Sequence, residues 1–179
     1  IERGKEGCTK ASHNGYTHLW EGGRNAVEGG PQEQTESVMQ DYAQMLVSHG
    51  STLEDNCIRT WLFVDDIDRN YRAVVQGRNQ VFTLHQLTPD THFIASTGIG
   101  GRGSSCRSFM QMDAYAIAGV DSRQIRYLYA SSLMNRTSEY GVRFERGTCV
   151  DYGDRRHVFI SGTASINNKG EIMHVGDIQ

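Results

Sequence analysis

The stretch "PQEQTESVMQDYAQMLVSHG" at 31–50 constrains this chain more than any other. Val38, Tyr42, Met45 and Leu46 recur at spacings of four, three and one, so they share one side of an α-helix. Met39 falls at the edge of that stripe. Pro31 suits a first helical turn, Glu33 and Glu36 suit its positive end, and Gly50 after His49 suits a left-handed stop. An amphipathic helix has to bury its stripe against a second layer, so the rest of the chain must supply one.

The flanking segments read as that layer. "YTHLWEGG" (16–23), "CIRTWLFVDD" (57–66), "RSFMQMDAYAIAGV" (107–120) and "QIRYLYA" (124–130) carry strand-type β-branched and aromatic residues. Between them, "DRNYRAVVQGRNQVFTLHQL" (68–87) returns to helical spacing through Tyr71, Val74, Val75, Val81, Phe82 and Leu84. Gly77 argues against that helix, since Gly costs about 1 kcal/mol relative to Ala in a helix interior. Residues 1–14 are polar and weakly patterned, and "EGGRNAVEGG" reads as a loop. "GVRFERGTCVDYGDRRHVFISGTASI" (141–166) reads as a hairpin turning at Tyr152-Gly153-Asp154. The last stretch, "FISGTASINNKGEIMHVGDIQ", reads as a strand, a turn at 167–170 and a second strand, with Gly176-Asp177 as a helix entry. The expected class is α+β, a two-layer sheet with two helices on one face.

Composition narrows the function classes. The 179 residues suffice for one domain, or one domain and part of another. With 37% apolar and 22% charged residues the chain fits a soluble globular protein. Eighteen basic residues interleaved with 21 acidic ones leave no basic face, so no nucleic-acid partner is expected. No apolar run approaches the ~20 residues of a membrane span. "IERGKEGCTK" has neither a signal pattern nor an initiator Met, so the chain is expected to begin inside a longer product or after processing. Cys8, Cys57, Cys106 and Cys149 form no CxxC pair; Cys57 and Cys149 sit in strand-like runs as buried free thiols, which fits a reducing cytoplasm. The seven histidines lie in no H-E-x-x-H and accompany no G-x-S-x-G elbow. "GIGGRG" fails the dinucleotide spacing, and no cofactor or metal is expected.

"HGSTLEDNCIRTWLFVDDID" (49–68) resembles the helix-to-strand passage of the Rid (YjgF) family, and "HFIASTGIGG" and "MDAYAIAG" resemble its two late strands. "HVFISGTASINNKGEIMHVGDIQ" resembles the same family's opening: strand, Ser-Gly, hairpin, Gly-Asp. The order implies two Rid-like halves in tandem, with 1–130 as the first domain and 131–179 as the opening strands of a second, truncated half. Arg123-Gln124, Tyr140-Gly141, Phe144-Glu145-Arg146 and the Ser161 to Ile166 strand further resemble the FkbO-type chorismatases, which hydrolyse chorismate. The resemblance implies a chorismate-mutase-like unit, a homotrimer and small-molecule pockets at subunit boundaries.

Residue by residue, the resemblance is incomplete. Rid deaminases hold the substrate carboxylate with an Arg just before a Ser-Thr pair; here that place is Ala95. They position water with a Glu in the late strand; here that place is Tyr115. Asp113, two residues away on the same strand face, is a weak catalytic candidate, as is Glu145. Arg102, in its Gly-rich loop, reads either as an anion contact or as part of a surface loop. Arg136, Tyr140, Arg143, Glu145 and Arg146 read either as a dicarboxylate-binding cluster or as a solvated strand edge. Ser161 reads as a ligand contact or as a small residue packed beside Gly162. The chorismatase acid lies late in the second half, beyond Gln179. Two functions therefore stand: part of a two-half enzyme acting on a small carboxylated metabolite, by enol ether or imine hydrolysis, or a non-catalytic trimeric module binding a small anion or a partner.

Overall fold

A computed structural model describes residues 1–3, 7–129, 132, 134, 137, 143–165, 167, 169 and 171–177. The first helix, α1, spans Pro31–Ser48. Glu33 accepts a hydrogen bond from the Gly30 backbone N–H at 3.1 Å, closing its first turn. At the other end Gly50 takes φ +67°, and the N–H groups of Gly50 and Ser51 return to the carbonyls of Val47 and Leu46. That is the double backbone bond of a Schellman stop. Helix α2 is one short turn, Leu53–Asn56, capped where the Thr52 hydroxyl accepts from the Asp55 N–H. Helix α3 spans Ile67–Leu84, ending three residues short of the sequence expectation. Gln86 enters the left-handed region at φ 56° and Leu87 N–H bonds back to Phe82, the same stop built without a glycine.

Among the described residues nine strands flank these helices: β1 (Glu2–Arg3), β2 (Cys8–His13), β3 (Tyr16–Asn25), β4 (Cys57–Val64), β5 (Ala95–Gly100), β6 (Met110–Ala118), β7 (Ile125–Leu128), β8 (Gly147–Asp151) and β9 (Arg156–Ile160). The first six form one sheet in the order β1-β2-β3-β6-β4-β5, with β4 and β5 parallel. Two expectations are corrected here. Residues 1–14 contribute two strands at one margin of the sheet, β2 burying only Cys8, and the Gly-rich "EGGRN" continues β3 instead of leaving it. The register breaks between Glu21 and Arg24, a β-bulge in which Gly23 takes φ +78°.

The expected stripe of α1 packs with Val74, Val81 and Phe82 of α3 onto Leu19, Leu62, Val64, Met110, Met112, Ala114 and Ala116. Both helices thus cover one sheet face, as the sequence implies. Met39 is fully buried and not at the edge, while Leu84 is 70% exposed and outside the core. Cys8, Cys57 and Cys149 are buried free thiols and Cys106 is exposed. Gly77 is where the two helices touch: a Cβ there would stand 2.5 Å from the Gln32 carbonyl oxygen.

The opposite face carries a second sheet, β7-β8-β9. Ile125 and Val150 pack on Ile58, Tyr115 and Ile117. The hairpin turns where expected: Tyr152 N–H bonds to the Arg155 carbonyl and Gly153 takes φ +89°. β7, before residue 130, pairs with β8, after it. In the terminal stretch, Asn167 N–H to Glu171 and Met173 N–H to Ser165 close a turn, but no strand forms among the described residues beyond Ile160.

Candidate functional site

One row across the large sheet joins Ala95 and Tyr115. Arg59 of β4 stands opposite Ala95 of β5 on one side and opposite Tyr115 of β6 on the other. Sequence reading passed over Arg59 because it sits inside "CIRTWLFV", where period and composition say only strand. The available signal was a single cation in an otherwise uncharged strand, since Arg is almost never fully buried unless paired.

Arg59 is 4% exposed. Its Nη1 donates to Ser161 Oγ at 3.2 Å and its Nη2 to Thr97 Oγ1, and its guanidinium lies 5.0 Å from the Trp61 ring centroid. Among the described residues no carboxylate forms an ion pair with it. Burial draws its pKa down to about 10, so it stays charged at neutral pH. A buried guanidinium facing only hydroxyls and an aromatic ring keeps N–H donors available to a planar two-oxygen anion.

The outer edge of β5 is closed by the segments that lead into the second sheet. Ala95 bridges Glu145, whose N–H bonds to the Ile94 carbonyl. Glu145 is buried, and its Oε1 accepts from the Phe93 N–H at 2.8 Å. Ser161 Oγ accepts from the Ser96 N–H at 2.9 Å and donates to the Glu145 carbonyl, besides meeting Arg59. Gly162 N–H donates to Thr97 Oγ1 at 2.7 Å. Arg146 is 7% exposed, over the Phe144 ring at 5.5 Å, with Nη1 3.4 Å from Thr163 Oγ1. Ser161 and Gly162 thus meet Arg59 and Thr97 directly in one polar seam, while Glu145 and Arg146 belong to the adjoining segment, bonded through their backbone to Ile94 and Ser161.

The other expected residues stand apart. Arg102 is exposed in the loop after β5 and pairs with Asp65 at 3.3 Å, at the far end of β4 from Arg59. Arg143 lies along α3, its Nη1 donating to the Asn79 carbonyl at 3.2 Å and to Thr83 Oγ1 at 2.7 Å. Asp113 faces away from the helices, and its Oδ1 accepts from the Gly23 N–H at 2.7 Å, serving the bulge of β3. Tyr140 and Arg136 lie outside the described residues.

Tyr115 also has a defined chemical state. Burial, with Tyr152 beside it, pushes its pKa up, so it stays protonated. His18 Nδ1 lies 2.6 Å from its hydroxyl, and desolvation, then His157 and Arg155, push the His18 pKa down. Tyr115 and His18 therefore share a hydrogen bond between two uncharged groups. Trp20 stacks on its ring at a centroid distance of 4.0 Å. A protonated phenol engaged this way offers no carboxylate to position water. Among the described residues no group of His, Cys, Asp and Glu side chains is arranged to hold a metal ion, and no helix is long and apolar enough to cross a membrane.

No family model matches the sequence, and no curated protein matches it. Solved structures do. A chorismatase superposes with a TM-score of 0.71 at 23% identity, over 99% of this chain and 54% of that one. E. coli TdcF with bound serine gives 0.52 at 14% identity, over 65% and 89% of the two chains. The YjgF gene product from E. coli gives 0.51 at 16% identity, over 61% and 85%. The chain spans about half the length of that chorismatase, and its fold is the one shared by chorismatase and the YjgF proteins.

Proposed function

We propose that this chain is the carboxylate-binding, non-hydrolysing half of a two-half protein of the chorismatase kind, acting on a small carboxylated metabolite. The observation that carries it is Arg59: a buried guanidinium without a carboxylate partner among the described residues, in register between Ala95 and Tyr115. A planar fork in a dry setting is the usual means of holding a carboxylate. Ser161 meets Arg59, Arg146 lies in the adjoining segment, and the two extend the site towards a second acidic group. Two further features support the reading: the match to about half of a chorismatase, and the serine, itself a carboxylate, bound by TdcF. The proposed division of the chain remains 1–130 and 131–179, and the proposed assembly a homotrimer in the cytoplasm.

Hydrolysis is assigned elsewhere because the local carboxylates are engaged in structure. Asp113 serves the bulge amide and Glu145 the Phe93 amide. A proton donor for an enol ether, or a base for water, needs a carboxyl group aimed at the substrate. The second reading, a self-sufficient trimeric binding module, is favoured by the Tyr115–His18 contact, which occupies the place of the deaminase Glu.

Turnover tests the assignment. An imine of the 2-aminoacrylate type is generated with a dehydratase and ketoacid release is followed with and without the protein; chorismate loss is followed separately. Neither is expected to accelerate. Acceleration that survives Asp113→Asn shows the residue mapping to be wrong, and acceleration lost in that variant makes Asp113 the working acid.

A further inference from the structure

Arg78, in the second half of α3, is 1% exposed. Its Nε and Nη2 have no hydrogen-bond partner, and no ion pair reaches it among the described residues. Among the described residues the Phe82 ring lies 5.8 Å from the guanidinium carbon, and Tyr71 acts on it electrostatically. An uncompensated cation in a protein interior is strongly disfavoured, and unsatisfied donors add to the cost. Something of opposite charge is needed there.

The two orphaned atoms are informative as a pair. Nε and Nη2 form one edge of the guanidinium plane, and their N–H bonds run parallel. That edge matches the two oxygens of a carboxylate. A second cation stands close by: Arg143, anchored to Asn79 and Thr83 one turn along the helix, acts electrostatically on Arg78. Two guanidiniums converge on one stretch of α3.

We propose that the Nε–Nη2 edge of Arg78 is a second carboxylate site, separate from Arg59, taking the head of a small monocarboxylate within the field of Arg143. Arg59 belongs to the sheet face away from the helices, whereas Arg78 lies on α3, so the two sites are independent.

The test is run on Arg59→Lys protein, which removes the first fork. Thermal unfolding is measured at constant ionic strength in sodium chloride, formate, acetate and sulfate. Formate and acetate should raise Tm by roughly 5 °C at a hundredfold excess over Kd, with sulfate no better than chloride. Adding Arg78→Lys, which keeps the charge and removes the fork, should abolish the rise. No rise with formate, or a rise that persists in Arg78→Lys, overturns the proposal; an equal rise with sulfate overturns the planar-acceptor assignment. Where a variant fails to fold, the Arg78 Nε–H resonance of the unsubstituted protein is followed during a formate titration. A saturable displacement supports the site, and an unmoved resonance overturns it.

Discussion

Replacing Ser161 with Ala removes one oxygen and disturbs three groups. The Ser96 N–H loses its acceptor, the Glu145 carbonyl loses its donor, and Arg59 Nη1 loses a partner. Ser161 is 5% exposed, so water does not readily take the place of the hydroxyl. A buried polar group left unsatisfied costs about 1–3 kcal/mol, and losses within one network are not additive. The expected destabilisation is therefore about 3 kcal/mol. For a chain of this length that lowers Tm by roughly 6–12 °C. The assay is urea denaturation followed by circular dichroism, with Ser12→Ala as control. Ser12 Oγ meets only the Thr17 hydroxyl at an exposed position, and its loss should cost less than about 0.5 kcal/mol. If Ser161→Ala stays as close to wild type as the control, the seam does not hold the second sheet against β5, and the site built on it fails.

Gly77→Ala should destabilise by about 1–2 kcal/mol in the same assay, because overpacking against the Gln32 carbonyl outweighs the ~1 kcal/mol gain in helix propensity; a stabilised variant would refute the close helix contact. His18 and His92 both have pKa values pushed down by desolvation. Below about pH 6.5 the unfolded chain therefore takes up protons first, and Tm should fall as pH drops from 7.5 to 5.5, with a shallower slope in His18→Gln. Sedimentation at micromolar concentration should show a trimer, and a clean monomer would contradict the proposed assembly.

The helices were legible because their periodicity is local: α1 and α3 each bury a stripe against one sheet, and the spacing of Val38 to Leu46 records it. Boundaries were less so, since Gln86 adopts the left-handed conformation without being a glycine. β2 was missed because it buries only Cys8, and the tail of β3 because Gly22 and Gly23 belong to a bulge that resembles a loop in sequence. Of the proposed site, Glu145, Arg146 and Ser161 were named through a resemblance. Arg59 was not, because its importance lies in strand register: it becomes visible only when Ala95 and Tyr115 are seen on either side of it.

The central claim is that Arg59 holds a carboxylate, and calorimetric titration with chorismate tests it most directly. The unsubstituted chain should bind, and Arg59→Met, with its fold checked by near-ultraviolet circular dichroism, should bind about 10- to 100-fold more weakly, as loss of a charged hydrogen-bonding group implies. Equal affinity in the two proteins would contradict the account.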